Sequence, residues 1–232
     1  MPVTVSSVVF RLAAAAALTG LLAGCNADRE VTGSIMKTSA TREIVTPEQR
    51  EARWRELAAS YGEAYQKNPS DAAAGYGYGL ALRALGQRAQ ALAVLEAASI
   101  RNPKQKQILG AYGRALADVG RYDDALAVLE RAHTPDAPDW RILNAQGAIL
   151  DQLGRSEEAR GYYEAALKIA PGDPAILSNL GLSYALNRDL AKAEATLRLA
   201  AASPRADDKV QANLALVERL KTAPRGKAKI AG

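Results

Sequence analysis

Five sets of residues in this chain recur at a step of 34 positions and in one register. Gly79, Gly113, Gly147 and Gly181 form the first set, and Gly86, Gly120 and Gly154 the second. Ala91, Ala125, Ala159 and Ala193 form the third, and Ala64, Ala98, Ala132, Ala166 and Ala200 the fourth. Pro69, Pro103 and, two steps on, Pro171 form the fifth. A period of this length means stacked copies of one small unit, none of which can bury its apolar face alone. Between the markers Ala, Leu, Glu, Arg and Gln dominate, and β-branched runs are nearly absent after residue 47. Those are strong helix formers, so the chain is all-α.

The period and these residues resemble the tetratricopeptide-repeat (TPR) family, a helix–turn–helix of 34 residues, and the markers that the resemblance implies have steric reasons. With Ala72 as the first position, full repeats span 72–105, 106–139, 140–173 and 174–207. Small residues at Gly79, Ala91 and Ala98 and their equivalents remove bulk where two helices, A and B, cross. The large residue at the twenty-fourth position (Leu95, Leu129, Tyr163, Leu197) then fills the gap toward the next repeat. Gly86, Gly120 and Gly154 supply the left-handed residue that ends helix A, and the prolines stop helix B. Repeat four has Asn187-Arg188 where glycine is expected; Asn tolerates the left-handed region, so the turn survives. Repeat two has Pro135 and Pro138 instead of a proline at 137, so its helix B should end early.

The resemblance implies an α-solenoid, a TPR superhelix of about four full repeats. Residues 47–68 carry helix-B markers and read as an N-terminal half-repeat, with Thr46 as N-cap, Pro47 in the first turn and Gln49 completing a capping box. Residues 208–221 repeat a helix-A pattern and read as a C-terminal capping helix, which gives a TPR domain over 47–222. The basic tail 223–232 reads as disordered, fitting a solubilising role or contact with anionic lipid or wall polymer.

The amino terminus reads as an address. Arg11 is the only charged side chain in the first 27 residues and precedes a short apolar run that ends Leu22-Ala23-Gly24-Cys25. The run is short for a permanent membrane span, and its order is that of an export signal. Leu-Ala-Gly-Cys resembles the bacterial lipobox, which implies a lipoprotein signal peptide over 1–24 and lipidation of Cys25, the only cysteine. In that family an Asp after the cysteine retains the protein in the inner membrane; Asn26 stands there, which implies the outer membrane, facing the periplasm. Residues 25–46 then form a lipid-anchored tether, whose coil has an r.m.s. reach of roughly 25 Å.

Three stretches of the last third are similar to the TadD lipoproteins, which serve assembly of Flp pili in tight-adherence secretion. They are Asn179-Leu-Gly-Leu-Ser-Tyr-Ala-Leu, Ala191-Lys-Ala-Glu-Ala-Thr-Leu-Arg-Leu-Ala-Ala and Val210-Gln-Ala-Asn-Leu-Ala-Leu-Val. This implies an envelope scaffold whose partners are proteins of a pilus or secretion apparatus. A TPR adaptor docking cell-wall hydrolases or outer-membrane assembly factors is the alternative.

TPR proteins bind extended peptide in a groove lined by helix A. By family analogy the groove positions are Tyr76, Arg83, Gln107, Arg114, Arg141, Asn144, Asp151 and Ser178, with Asn179 and Asn213 adjacent. Asn can hydrogen-bond a peptide backbone in both directions, and Arg can hold a carboxylate bidentately; the same residues also fit ordinary solvent-facing polar groups. The two-carboxylate clamp of some TPRs needs Lys or Asn pairs where Tyr76 and Leu80 stand, so that clamp is not expected. Arg160 is expected on the convex face.

Chemistry beyond binding is not expected. His133 is the only histidine and reads as a helix C-terminal residue, and with Cys25 it exhausts the usual nucleophile–base and metal-ligand candidates. The expectation is no enzyme, no cofactor, no metal and no small-molecule substrate. The net charge of +5 comes from interleaved acids and bases rather than a basic face, so no nucleic-acid partner is expected.

Overall fold

The computed structural model describes residues 46–222. The signal segment, Cys25, the tether up to Val45 and the tail 223–232 lie outside the described residues. Among the described residues there are ten α-helices and no strand. They are α1 (Pro47–Lys67), α2 (Ala72–Ala84), α3 (Arg88–Arg101), α4 (Lys106–Asp118), α5 (Tyr122–Arg131), α6 (Trp140–Gln152), α7 (Ser156–Ile169), α8 (Pro174–Leu186), α9 (Leu190–Ala201) and α10 (Asp208–Thr222). Two compact units divide them, one holding α1–α5 and the other α6–α10.

Six of the ten described helices begin with a side chain that accepts from their free N–H groups, and α3, α4, α5 and α7 have no such cap. At α1 the capping box forms as the sequence predicts: Gln49 N donates to Thr46 Oγ1 at 3.2 Å, and Thr46 N donates to Gln49 Oε1 at 2.7 Å. The A helices use a further device, an aspartate cap outside the five repeated series. Asp71, Asp139, Asp173 and Asp207 each accept from backbone N–H groups at the start of α2, α6, α8 and α10. They sit in the 34-residue register, with Gln105 breaking the series before α4. A carboxylate there also faces the positive end of the helix dipole.

The A-to-B turns are alike in all four repeats. The N–H groups of Gln87, Arg121, Arg155 and Asp189 donate to the carbonyls of Leu82, Leu116, Leu150 and Tyr184 at 2.8–3.0 Å. That closure needs a left-handed residue one place earlier, and Gly86 supplies it with φ of 72°. In repeat four the residue is Arg188, at φ of 61°, and not Asn187. Asn187 stays right-handed, with its Nδ2 donating 3.3 Å to the Ser183 carbonyl. The turn survives, but a non-glycine residue bears the strain. The helix B of repeat two ends early: α5 has 10 residues against 14 in α3 and α7.

The core lies where A and B helices cross. Leu95, Leu129, Tyr163 and Leu197 are almost completely buried, each lying over the glycine that opens the crossing in its own repeat. A Cβ added to Gly147 would stand 2.6 Å from the Tyr163 ring, and one at Gly113 2.6 Å from Leu129. The twenty-fourth residue therefore fills the crossing of its own repeat first. It also reaches the next A helix: Leu95 clusters with Ala111 and Ala115 of α4. Leu197 and Ala193 cluster likewise with Val217 of α10. At the other end of the described residues α1 packs on α2, with Tyr61 over Gly77 and Tyr78 over Gly62.

Candidate peptide-binding face

Helix A carries the candidate residues, and the two units treat them differently. In the unit of α6–α10, consecutive A helices are tied by side-chain amides. Asn179 Nδ2 on α8 donates to Asn144 Oδ1 on α6 at 2.9 Å, and Asn213 Nδ2 on α10 donates to Ser178 Oγ on α8 at 2.9 Å. Asn179 and Asn213 are only 7% and 8% exposed, so their first job is to hold A helices in register. Asn144 is half-buried. Arg141, two residues into α6, is exposed, with its guanidinium carbon 4.6 Å from the centroid of the neighbouring Trp140 ring.

Asp151, near the end of α6, is buried in a ring of hydroxyls. Tyr163 OH donates to its Oδ2 and Ser183 Oγ to its Oδ1, both at 2.9 Å, and Ser156 adds a third hydrogen bond. Burial nevertheless outweighs those bonds and the nearby Arg160 charge, and lifts the carboxyl above the ordinary aspartate value of 3.8. The Tyr163 hydroxyl is pushed well above the usual tyrosine value, by burial first and by the Asp151 charge second. This ring joins α6, α7 and α8 and is closed to a ligand.

In the unit of α1–α5, Tyr76 packs against the Leu95 cluster, and Gln107 is exposed at the start of α4. Arg83 on α2 reaches across to α4, where its Nε donates to Asp118 Oδ2 at 2.6 Å in a mostly buried pair. Arg114 is 6% exposed, and its Nε is buried without a hydrogen-bond partner.

The Arg160 expectation is overturned. Its side chain is 15% exposed, ion-paired to Glu157, and stands 5.5 Å from the Tyr184 ring centroid, with one terminal nitrogen buried and unpartnered. It belongs to the packing between α7 and α8 and is no neutral surface control. His133 lies just past the end of α5, half-buried. No group of three or more His, Cys, Asp or Glu side chains placed to hold a metal ion occurs among the described residues. No helix among them is long and apolar enough to cross a membrane.

A sequence model described as Tetratricopeptide repeat matches residues 79–139, 113–174 and 144–208, together more than half of the 232 residues. The chain belongs to the tetratricopeptide-repeat family. Its fold class is the all-α TPR solenoid, and TPR proteins act as protein-binding scaffolds that take peptides or protein surfaces. No curated protein matches the chain. A thermophilic TPR protein of Thermus thermophilus is similar in structure, with a TM-score of 0.65 and 21% identity over 72% of this chain and 91% of that one. Pseudomonas aeruginosa pilF gives a TM-score of 0.55 at 16% identity, over 75% of this chain and 85% of that one. The Cut9–Hcn1 structure gives 0.64 at 18% over 74% of this chain, which spans about a third (34%) of that neighbour. These likenesses are of fold.

Within the TPR frame the buried Asp151 gives a pH signature. A carboxyl raised above its unfolded value binds protons more tightly when folded, so stability falls as pH rises from the ordinary aspartate range through the raised value. Asp151→Asn keeps the shape without the charge. The variant is expected to gain on the wild type between pH 4 and pH 7, by at most about 1.4 kcal/mol per pH unit crossed. Paired melts across that range check it, and a difference independent of pH would remove the ionised carboxylate as the cause.

Proposed function

We propose that this TPR protein is a lipid-anchored scaffold of the bacterial outer membrane that serves assembly of a pilus or secretion machine of the tight-adherence kind. The observation that carries the reading is the only cysteine, Cys25, standing directly after Leu22-Ala-Gly in a chain of the TPR family. Asn26 supports the outer membrane, and the TadD-like stretches between Asn179 and Val217 support the pilus assignment. On this reading residues 25–46 tether the 47–222 domain to the membrane. The partners are proteins of the apparatus, bound as peptides or surface segments, with Gln107 and Arg114 as candidate contacts in the unit of α1–α5 and Arg141 and Asn144 as candidate contacts in the unit of α6–α10. The protein carries out no chemistry of its own.

The test begins with the anchor. Wild type is expected to take up labelled palmitate and to sediment with outer membranes. Cys25→Ser should lose the label and the outer-membrane association, with its signal segment uncleaved or mis-cleaved. Deletion of the protein should abolish piliation and surface adherence while cell shape stays normal. Unlabelled wild type in the membrane fraction would refute the lipoprotein reading, and altered cell shape or wall chemistry would move the function to docking of wall hydrolases.

A further inference from the structure

The helix α1 has the register of a B helix but lacks the A helix that a B helix crosses. Its twentieth, twenty-fourth and twenty-seventh positions are Leu57, Tyr61 and Ala64. In the four full repeats those positions hold Ala91, Leu95 and Ala98 and their equivalents, all exposed by 3% or less. On α1, Leu57 and Tyr61 are only half-buried and Ala64 is exposed. Trp54, one turn earlier on the same stripe, is half-buried too. One half of the usual contact is made: the Tyr61 ring lies over Gly77 of α2, as Leu95 reaches Ala111 at the same place in α4. The other half, toward an A helix of its own repeat, is open. The register has no room for that helix, because α1 begins at Pro47, the tenth position, whereas α2, α4, α6 and α8 fill positions one to thirteen.

The chain itself shows four times what covers such a stripe. In each full repeat the cover is an A helix with glycine at the crossing: Gly79, Gly113, Gly147 or Gly181. A Cβ added to Gly113, Gly147 or Gly181 would stand 2.6 Å from the large residue opposite, closer than carbon atoms pack, so glycine alone fits without a shift. We propose that the open stripe of Trp54, Leu57, Tyr61 and Ala64 docks an amphipathic helix of a partner protein, with a glycine seated at Tyr61 and apolar residues on either side of it. Binding of a helix in an apolar groove is carried by a few anchors, and Trp and Tyr are the commonest of them. A second copy of this chain fits poorly. Among the described residues its A helix without a B helix is α10, and α10 has Ala215 where the glycine should be. The surface lies on a B helix, apart from the candidate residues of the A helices, and it rests on the protein-binding reading but not on the pilus assignment.

The variant Ala64→Arg tests the stripe, since Ala64 is exposed in the unbound chain and would lie under the docked helix. Its melting midpoint is expected within about 2 °C of wild type; a lower one would mean that the chain already covers the stripe, and would end the proposal. The probe is a synthetic peptide of residues 141–153, taken from the A helix that crosses a tyrosine, Tyr163, in this chain. A covalent staple on the side away from Gly147 holds it helical, because an unsupported helix of that length is marginal. By fluorescence anisotropy the labelled peptide is expected to bind the full chain. Ala64→Arg in the protein and Gly147→Leu in the peptide should each weaken that binding roughly tenfold or more. No binding, or equal binding of the Gly147→Leu peptide, would overturn a glycine-bearing helix as the ligand. Undiminished binding to Ala64→Arg would take the site away from α1. Sedimentation of the two proteins without peptide is expected to be the same; self-association of the wild type that Ala64→Arg abolishes would hand the stripe to a second copy and overturn the partner helix.

Discussion

A chain that stops at Asp207, without α10, is expected to melt roughly 10–20 °C below the full chain, a loss on the order of 5 kcal/mol at the 2–4 °C per kcal/mol usual for chains of this size. Val217 is fully buried against Ala193 and Leu197, Val210 is nearly so, and Leu214 packs on the same cluster. Each fully buried side chain of this kind contributes about 1.5–3 kcal/mol. Polar ties add to it. Asn213 bonds Ser178, Lys221 pairs with the mostly buried Glu194, and Arg198 pairs with Glu218 at 3.3 Å. In a repeat array each unit is stabilised only by its neighbours, so the last repeat has nothing else to replace these contacts. Thermal melts of the full chain, the chain ending at 207 and the chain ending at 222 decide the point. The 222 form should melt with the full chain; a 207 form that also did so would show that α10 does not cover the end of repeat four.

The skeleton of this fold was legible because repetition multiplies a weak signal. One glycine says little, but Gly79, Gly113, Gly147 and Gly181 in one register locate every A–B crossing. The box at Thr46 and the early end of α5 were legible for a different reason, since both are decided by residues within three or four positions. Where the reading went astray, two local effects competed or a distant partner decided. At the fourth A–B turn, asparagine's tolerance of the left-handed region pointed to Asn187, but the hydrogen-bond register of the turn fixes the left-handed place one residue later, at Arg188.

The candidate face was less legible, because a position in helix A says which way a side chain points and not whether it is taken. Arg83 and Asp118 are 35 residues apart in the chain, as are Asn144 and Asn179, and Ser178 and Asn213. That offset is one repeat plus one residue, so adjacent A helices bond to each other with the residues expected to face a ligand. Pair offsets of 35 would have revealed this, whereas a search for the 34-residue period alone does not. Arg160 was misplaced for a related reason. Its surroundings, Tyr184 of the next repeat and Asp151 of its own, come from helices on either side of it. Arg114 stands out only after Asp118 has been assigned to Arg83.

Tyr163→Ala is expected to cost about 3–5 kcal/mol, the range for emptying a buried aromatic site. Tyr163 is the largest of the completely buried side chains, and it stands where the other three repeats use leucine. Its ring covers Gly147, which has no side chain to move into the space, so the void cannot collapse from that side. The hydroxyl bears a second load. It donates to the buried Asp151, whose carboxylate would keep only the serine hydroxyls of Ser156 and Ser183. Tyr163→Phe separates the two effects: it fills the crossing and removes one donor, for which about 1–2 kcal/mol is expected. Its Asp151 should titrate higher still, because a hydrogen bond that favours the charged form is gone. The phenylalanine variant should therefore lose most ground at neutral pH and recover part of it toward pH 4, while the alanine variant stays low throughout. Melting midpoints of both variants at pH 4 and pH 7 are the measurement. An alanine variant within about 2 °C of wild type, less than 1 kcal/mol, would show that the crossing of repeat three is not held by this ring.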